Sequence, residues 1–414
     1  MLDRSEYGAA TIRVLKREHS NTLAKRLEQA PSSARRIYVA LGTIALALMV
    51  ANLARPWVMP ELSANSAEAA VVDKAKTALS GPAPWAAADT ACLPPPAALD
   101  RELDRLGASF SGVVGIAVTR VGCSWLAGYN ERAYFPQQSV SKLWVALAVL
   151  DGVDRRVLQL DTQLTVTSGD LTVFNQPMRY EVLERGSASY TVRELMRNSL
   201  TLSDNLANDV LLRNAGGPAA IRFLLQRKGL DGIRFGPGER RLQSAIAGLK
   251  WQPDYALGGA FYTARAKLPA QQRVAALDAY LSDPVDGAQP AGIVRAISAL
   301  AEGRLLSKAS TEVMLEELSR TRSGPLRLKA GVPKNWQVYH KTGTGQVLGS
   351  RATGYNDVAL LRSPTGGYYA AAVMIADTRQ AIPARMKLMQ SVSRTIAQFD
   401  PYLAPNMVGR AVRN

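Results

Sequence analysis

Phe135-Pro136-Gln137-Gln138-Ser139-Val140-Ser141-Lys142-Leu143-Trp144-Val145-Ala146-Leu147-Ala148-Val149-Leu150 is the stretch whose reading decides the fold. A polar segment carrying Ser139 runs into an apolar helical run, Leu143 to Leu150. Ser139 therefore stands at a helix N-terminus, where backbone N–H groups converge and the dipole favours negative charge. Lys142 is three residues on, about one turn, so its amine can reach the Ser139 hydroxyl. A lysine held in an apolar site beside other cations can lose its proton near neutrality and act as a base. Taken alone, the same residues also describe an ordinary N-capped helix with a solvated lysine.

Helical periodicity begins earlier, near Ala97, with Leu99, Leu103 and Leu106. Val113 to Val121 and Ser124 to Tyr129 then read as two strands of a hairpin. From about Gln138 to Ala330 the pattern is mainly helical. Three apolar strand candidates follow, Trp336 to Thr342, Asn356 to Arg362 and Tyr368 to Ile375, and an amphipathic helix, Pro383 to Phe399, closes the domain. Strands at both ends around a helical middle predict an α/β (α+β) domain over residues 97–408. One antiparallel sheet is assembled from both ends, with an all-α subdomain inserted.

Two further motifs lie in this frame. Ser203-Asp204-Asn205 sits between a helix start, Thr191-Val192-Arg193-Glu194-Leu195, and the helical Val210-Leu211-Leu212. A hydroxyl there can pass a proton to a leaving nitrogen, and a neighbouring carboxamide can hold a substrate carbonyl. Lys341-Thr342-Gly343-Thr344-Gly345 ends a strand. Its glycines let a ligand approach the backbone, its lysine supplies positive potential and its threonines supply hydroxyl donors for a carboxylate. Each motif alone is equally a polar turn or an edge strand. A specified tripeptide turns up by chance in about one chain of this length in twenty, so the ordered set carries the argument.

Together the three motifs resemble those of class A serine β-lactamases, within the larger group of serine penicillin-recognising enzymes. The resemblance covers roughly Ala97 to Leu403 and extends to Gly216-Gly217-Pro218, Leu328-Lys329-Ala330-Gly331-Val332-Pro333 and Asn356-Asp357-Val358-Ala359. It implies the β-lactamase/DD-peptidase-like fold, an antiparallel five-stranded sheet flanked by helices. It implies hydrolysis of a β-lactam through a covalent acyl-Ser139, with Lys142 and Glu239 taking the serine proton and Ser203 relaying one to the lactam nitrogen. Asn205 would orient the substrate amide. Lys341, Thr342, Gly343 and Thr344 would hold its carboxylate, and backbone N–H groups of Ser139 and Thr344 would form the oxyanion hole.

Glu239 stands at the family's distance for the glutamate that activates the deacylating water. Gln243, four residues on, replaces the family's usual asparagine. Phe174 takes the place of an aromatic at the mouth of the site, and Arg351 is a candidate to help neutralise the carboxylate. The resemblance implies no metal or organic cofactor.

Three departures stand out. Gln137 replaces a usual apolar residue. Asp209 replaces a common asparagine. Residues 244–289 form an extended omega-loop region, with Trp251, Tyr255 and an extra helix from Pro269 to Leu281.

Composition narrows the alternatives. The 414 residues carry a net charge of +16, but the basic residues are spread along the chain and no nucleic-acid module is visible. Only two histidines, His19 and His340, and two cysteines, Cys92 and Cys123, are present. A His/Cys zinc site needs three or four ligands, and a Ser-His-Asp triad needs a histidine beside its serine.

Residues 1–36 form a basic head, and Ile37 to Ala54 is an uncharged apolar run of about 27 Å as a helix. Arginines before it predict a head in the cytoplasm and a catalytic domain in the periplasm, tethered to the inner membrane. Ala67-Glu68-Ala69 offers a cleavage pattern for a secreted form, placed unusually far from the run. Residues 55–96 read as an Ala/Pro/Ser-rich linker. Past the membrane segment Cys92 and Cys123 can pair or remain free thiols. The chain reads as a monomer. Two rival functions are a D-Ala-D-Ala carboxypeptidase or penicillin-binding protein, which needs no deacylating glutamate, and an idle binding protein that kept the fold.

Overall fold

The computed structural model describes Cys92 and residues 94–403. The readings for residues 1–36 and 37–54, and for most of 55–96, lie outside the described residues. Among those described, no helix is long and apolar enough to cross a membrane.

The domain opens with helix α1 (Ala97–Ala108), which buries Leu99, Leu103 and Leu106 on one stripe. Strands β1 (Val113–Arg120) and β2 (Ala127–Tyr129) form a hairpin, and a Cys92–Cys123 disulfide ties the residues before α1 to its turn. Strand β3 (Phe135–Pro136) and a 3-10 turn, Gln138–Ser141, lead into α2 (Lys142–Asp154). Next come β4 (Gln163–Thr167), α3 (Arg179–Arg185), β5 (Ser187–Thr191), α4 (Val192–Thr201), α5 (Asn205–Asn214) and α6 (Gly217–Arg227). Helix α7 (Glu239–Ile246) leads into the extended region, which holds α8 (Ala260–Lys267) and α9 (Ala270–Ser282) and ends at β6 (Gly287–Ala288), which pairs with β3. Helices α10 (Pro290–Ala301) and α11 (Lys308–Ser319) precede strands β7 (Gln337–Gly343), β8 (Val347–Leu348), β9 (Arg351–Arg362) and β10 (Tyr368–Thr378), and α12 (Ile382–Leu403) completes the domain.

The sheet runs β2-β1-β10-β9-β7 with every pair antiparallel, and the short β8 adds to β9. Both faces are covered. Leu99, Leu103, Val392 and Ile396 from α1 and α12 pack on one side, and Leu147, Leu150, Ile293 and Val294 from α2 and α10 are buried on the other. Central strands buried on both faces read as continuous apolar runs, which is why Ala371-Ala372-Val373-Met374-Ile375 shows no alternation. Helix α2 is likewise apolar nearly all round because the helical layer encloses it.

The structure moves several boundaries of the sequence reading; β10 runs on to Thr378 and the last helix to Leu403. The expected strand from Ser124 shortens to Ala127–Tyr129. Strand β9 begins at Arg351, five residues before Asn356, because pairing with β10 continues through Thr353↔Asp377 and Ala352↔Thr378. The helical middle is interrupted by the antiparallel pair β4–β5.

Candidate active site

The nucleophile candidate lies in the 3-10 turn that feeds α2. Lys142, wholly buried at the first position of α2, donates through Nζ to Ser139 Oγ (2.9 Å), Asn205 Oδ1 (2.8 Å) and Glu239 Oε1 (2.6 Å). One cation therefore gathers groups from three separate parts of the chain. Its three donors are all used, which fixes its position against the serine.

The Ser203 turn is built by its own middle residue. Asp204 caps α5, accepting from the Ala207 N–H (3.0 Å) through Oδ1 and from the Met178 N–H (2.9 Å) through Oδ2. Ser203 takes a left-handed φ of 59°, and Asn175 Nδ2 clamps the turn by donating to the carbonyls of Leu202 (2.8 Å) and Ser203 (3.0 Å). Asn205 is held by a bond from Nδ2 to the Val173 carbonyl (2.8 Å). Phe174, next in sequence, packs edge-on against Phe261 of α8 and lies near Tyr262. The extended region thus reaches the mouth of the site.

Lys341 Nζ donates to Ser203 Oγ (2.9 Å) and to the Thr342 carbonyl (3.0 Å). Burial, and then the charges of Lys142 and Arg327, push its amine well below the usual lysine range. Thr342 Oγ1 shares a hydrogen bond with Ser323 Oγ (2.7 Å). Gly343 is required by packing: a Cβ there would sit 2.4 Å from the Gln137 carbonyl oxygen. Strand β7 can approach the backbone ahead of Ser139 only because no side chain intervenes.

Arg351 does not join this group. It stands at the far end of the β8–β9 hairpin, where Asp377 (2.7 Å) and Asp278 of α9 (2.7 Å) hold its guanidinium. The cation that lies against Gly343 and Thr344 is instead Arg327, which sequence reasoning missed. It donates to the carbonyls of Gly343 (2.9 Å) and Asn356 (2.6 Å) and to Thr344 Oγ1 (2.7 Å), and stacks on Tyr355. Its one sequence signal is that it immediately precedes the family-like segment Leu328 to Pro333.

Glu239 opens α7, its N–H donating to Asp209 Oδ1 (3.2 Å) and its Oε2 accepting from Gln243 Nε2 (3.2 Å). Gln137, unusual in its place, is fully paired: Nε2 donates to the carbonyls of Arg234 and Asp286, and Oε1 accepts from Trp144 Nε1 (2.6 Å).

A serine against a buried lysine, a carboxylate on the opposite side and a second cation–serine pair define a serine hydrolase working through an acyl-enzyme. A sequence model of the β-lactamase enzyme family matches residues 98–399, and the chain belongs to that family, in its class A. It is 25% identical over 281 residues to the β-lactamase VEB-1 of Pseudomonas aeruginosa, covering 68% of this chain and 83% of that one. An ancestral class A β-lactamase superposes with a TM-score of 0.57 at 28% identity, over 72% of this chain and 99% of its own. A β-lactamase from Chitinophaga pinensis shares the fold at a TM-score of 0.61 and 24% identity, over 73% and 98% of the two chains.

Proposed function

We propose that this protein hydrolyses β-lactams, conferring resistance to them, with the residues above in the following roles. The single observation that carries the assignment is Lys142 reaching Ser139, Asn205 and Glu239 at once. Ser139 Oγ attacks the lactam carbonyl carbon, and its proton passes to the Lys142–Glu239 pair. The C–N bond breaks, and the nitrogen gains a proton through Ser203, backed by Lys341. Glu239 then takes a proton from water, the water oxygen adds to the acyl carbon, and Ser139 leaves as the regenerated alcohol. Lys341, Arg327 and the Thr342 and Thr344 hydroxyls face the substrate carboxylate.

The peptidase reading is disfavoured by Glu239, which an enzyme that keeps its acyl group has no need to place. The test is a chromogenic cephalosporin given to wild type and Glu239→Ala. Steady turnover by wild type and a stalled acyl-enzyme in the variant are expected. One stoichiometric burst from wild type, then silence, would hand the assignment to a penicillin-binding protein.

We also infer a periplasmic domain tethered through residues 37–54. The supports are the apolar run, the arginines before it and a disulfide suited to an oxidising compartment. Release of the chain from membranes by high salt alone would refute the tether. The catalytic unit is taken as a monomer, since one chain supplies every group named; light scattering tests this.

A further inference from the structure

Helix α9 belongs to the extended region, yet it reaches the catalytic groups. Leu277 and Tyr280 are buried and pack with Leu242 and Ile246 of α7, the helix that begins with Glu239. The Tyr280 hydroxyl donates to Asp286 Oδ1 (2.8 Å) and accepts from Gln138 Nε2 (2.7 Å). Gln138 Oε1 accepts from Gln243 Nε2 (2.9 Å), which also donates to Glu239 Oε2. Gln243 Oε1 accepts from Gln346 Nε2 (3.1 Å). Asp286 Oδ2 accepts from the Gln138 N–H (2.9 Å), bracing the residue ahead of the nucleophile in its left-handed φ of 53°.

The chain has a direction. An ionised Asp286 carries no proton, so Tyr280 must give its own to the carboxylate and offer only lone pairs to Gln138. That turns the Gln138 NH2 toward the tyrosine and its carbonyl toward Gln243. Both N–H groups of Gln243 are then spent on Gln138 and Glu239.

We propose, resting on the hydrolase reading above, that Tyr280 is a positioning residue for deacylation, orienting Gln138 and through it Gln243 and the Glu239 carboxylate. Without the hydroxyl, the Gln138 amide is held at its Gln243 end alone, and one of the two bonds that set its orientation is gone. Its reversed form sets NH2 against NH2 at Gln243 and loosens the Glu239 contact. The chain meets Lys142 only through Glu239 Oε1, and Lys142 keeps its place against Ser139 through Asn205 as well, whereas the deacylating water depends directly on the Glu239 carboxylate, so deacylation should lose more than acylation. The phenyl ring of Tyr280→Phe keeps the packing and removes only the hydroxyl.

The test uses the full chain as wild type, Tyr280→Phe and Gln138→Leu, with a chromogenic cephalosporin in stopped flow. In Tyr280→Phe the deacylation rate is expected to fall about 10- to 100-fold, the scale of a small misplacement of reacting groups. kcat and KM then fall together, kcat/KM stays within about threefold, and an acyl-enzyme accumulates. Gln138→Leu cuts the same chain from the other side and should reproduce the split. It also carries the test should Tyr280→Phe not fold.

The Tyr280→Phe/Gln138→Leu double variant should be about as slow as the slower single, and a loss equal to or beyond the product of the two single losses would overturn the proposal. So would a wild-type kcat in Tyr280→Phe, an equal loss in kcat and kcat/KM, or a lowered melting temperature with unchanged kinetics. A wild type that never turns over would sink the hydrolase reading and this inference with it.

Discussion

Replacing Asp286 by asparagine should change how stability depends on pH, and the size of the change follows from where the carboxyl lies. Asp286 is wholly buried, and burial outweighs the bonds it accepts, so its pKa is pushed up to about 6 from an ordinary 3.8. The sign follows from linkage. A carboxyl whose folded pKa is raised contributes stability below its unfolded pKa and loses that contribution as pH climbs through the folded value. The difference of 2.2 units (6 − 3.8) corresponds to about 3 kcal/mol once both states are ionised. About 2.4 kcal/mol of that falls between pH 4 and pH 7.

Asparagine has no such titration, although it breaks bonds: one of its ends must meet Tyr280 or the Gln138 N–H with the wrong polarity. Those lost bonds set a constant offset of either sign. The slope is free of them. Urea denaturation of both proteins from pH 4 to pH 7.5 should therefore show Asp286→Asn gaining about 2 to 3 kcal/mol relative to wild type as pH rises. Parallel stability curves would refute the reasoning, because a charge buried at a cost must report that cost when it ionises.

Three other outcomes follow from the structure. Burial and the neighbouring cations make Lys341 lose its proton below the usual lysine range, so affinity for an anionic substrate should weaken along a high-pH limb that falls below where an ordinary lysine titrates. Arg327→Leu should raise KM more than it lowers kcat and move that alkaline limb upward, since Arg327 is among the causes of the depressed pKa; an unmoved limb would exclude it. Gly343→Ala puts a methyl 2.4 Å from a backbone oxygen that cannot swing away, so about 1–3 kcal/mol of stability and most activity should be lost, as melting and turnover measurements will show.

Local chemistry made much of this molecule readable from its residues. The Ser139–Lys142 spacing is a helical property and needs no tertiary knowledge to bring amine and hydroxyl together. Thr191 and Glu194 form the capping box that marks the start of α4, and Asp204 caps α5, so the turn bearing Ser203 was legible between two helix signals. The apolar stretches Val358 to Leu361 and Ala370 to Ile375 marked β9 and β10 as strands.

What stayed hidden depended on distance along the chain. Arg351 and Arg327 are equally plausible cations on paper. Only the hairpin's register, which carries Arg351 away to Asp377 and Asp278, and the loop that folds Arg327 under Gly343 decide between them. The same holds for Tyr280, 142 residues from the Gln138 it orients. Motif spacing encodes contacts within a turn or two of helix. Contacts between elements are chosen by packing, and a buried polar group must take whichever partner that packing brings, because leaving it unpaired costs more than the bond itself contributes.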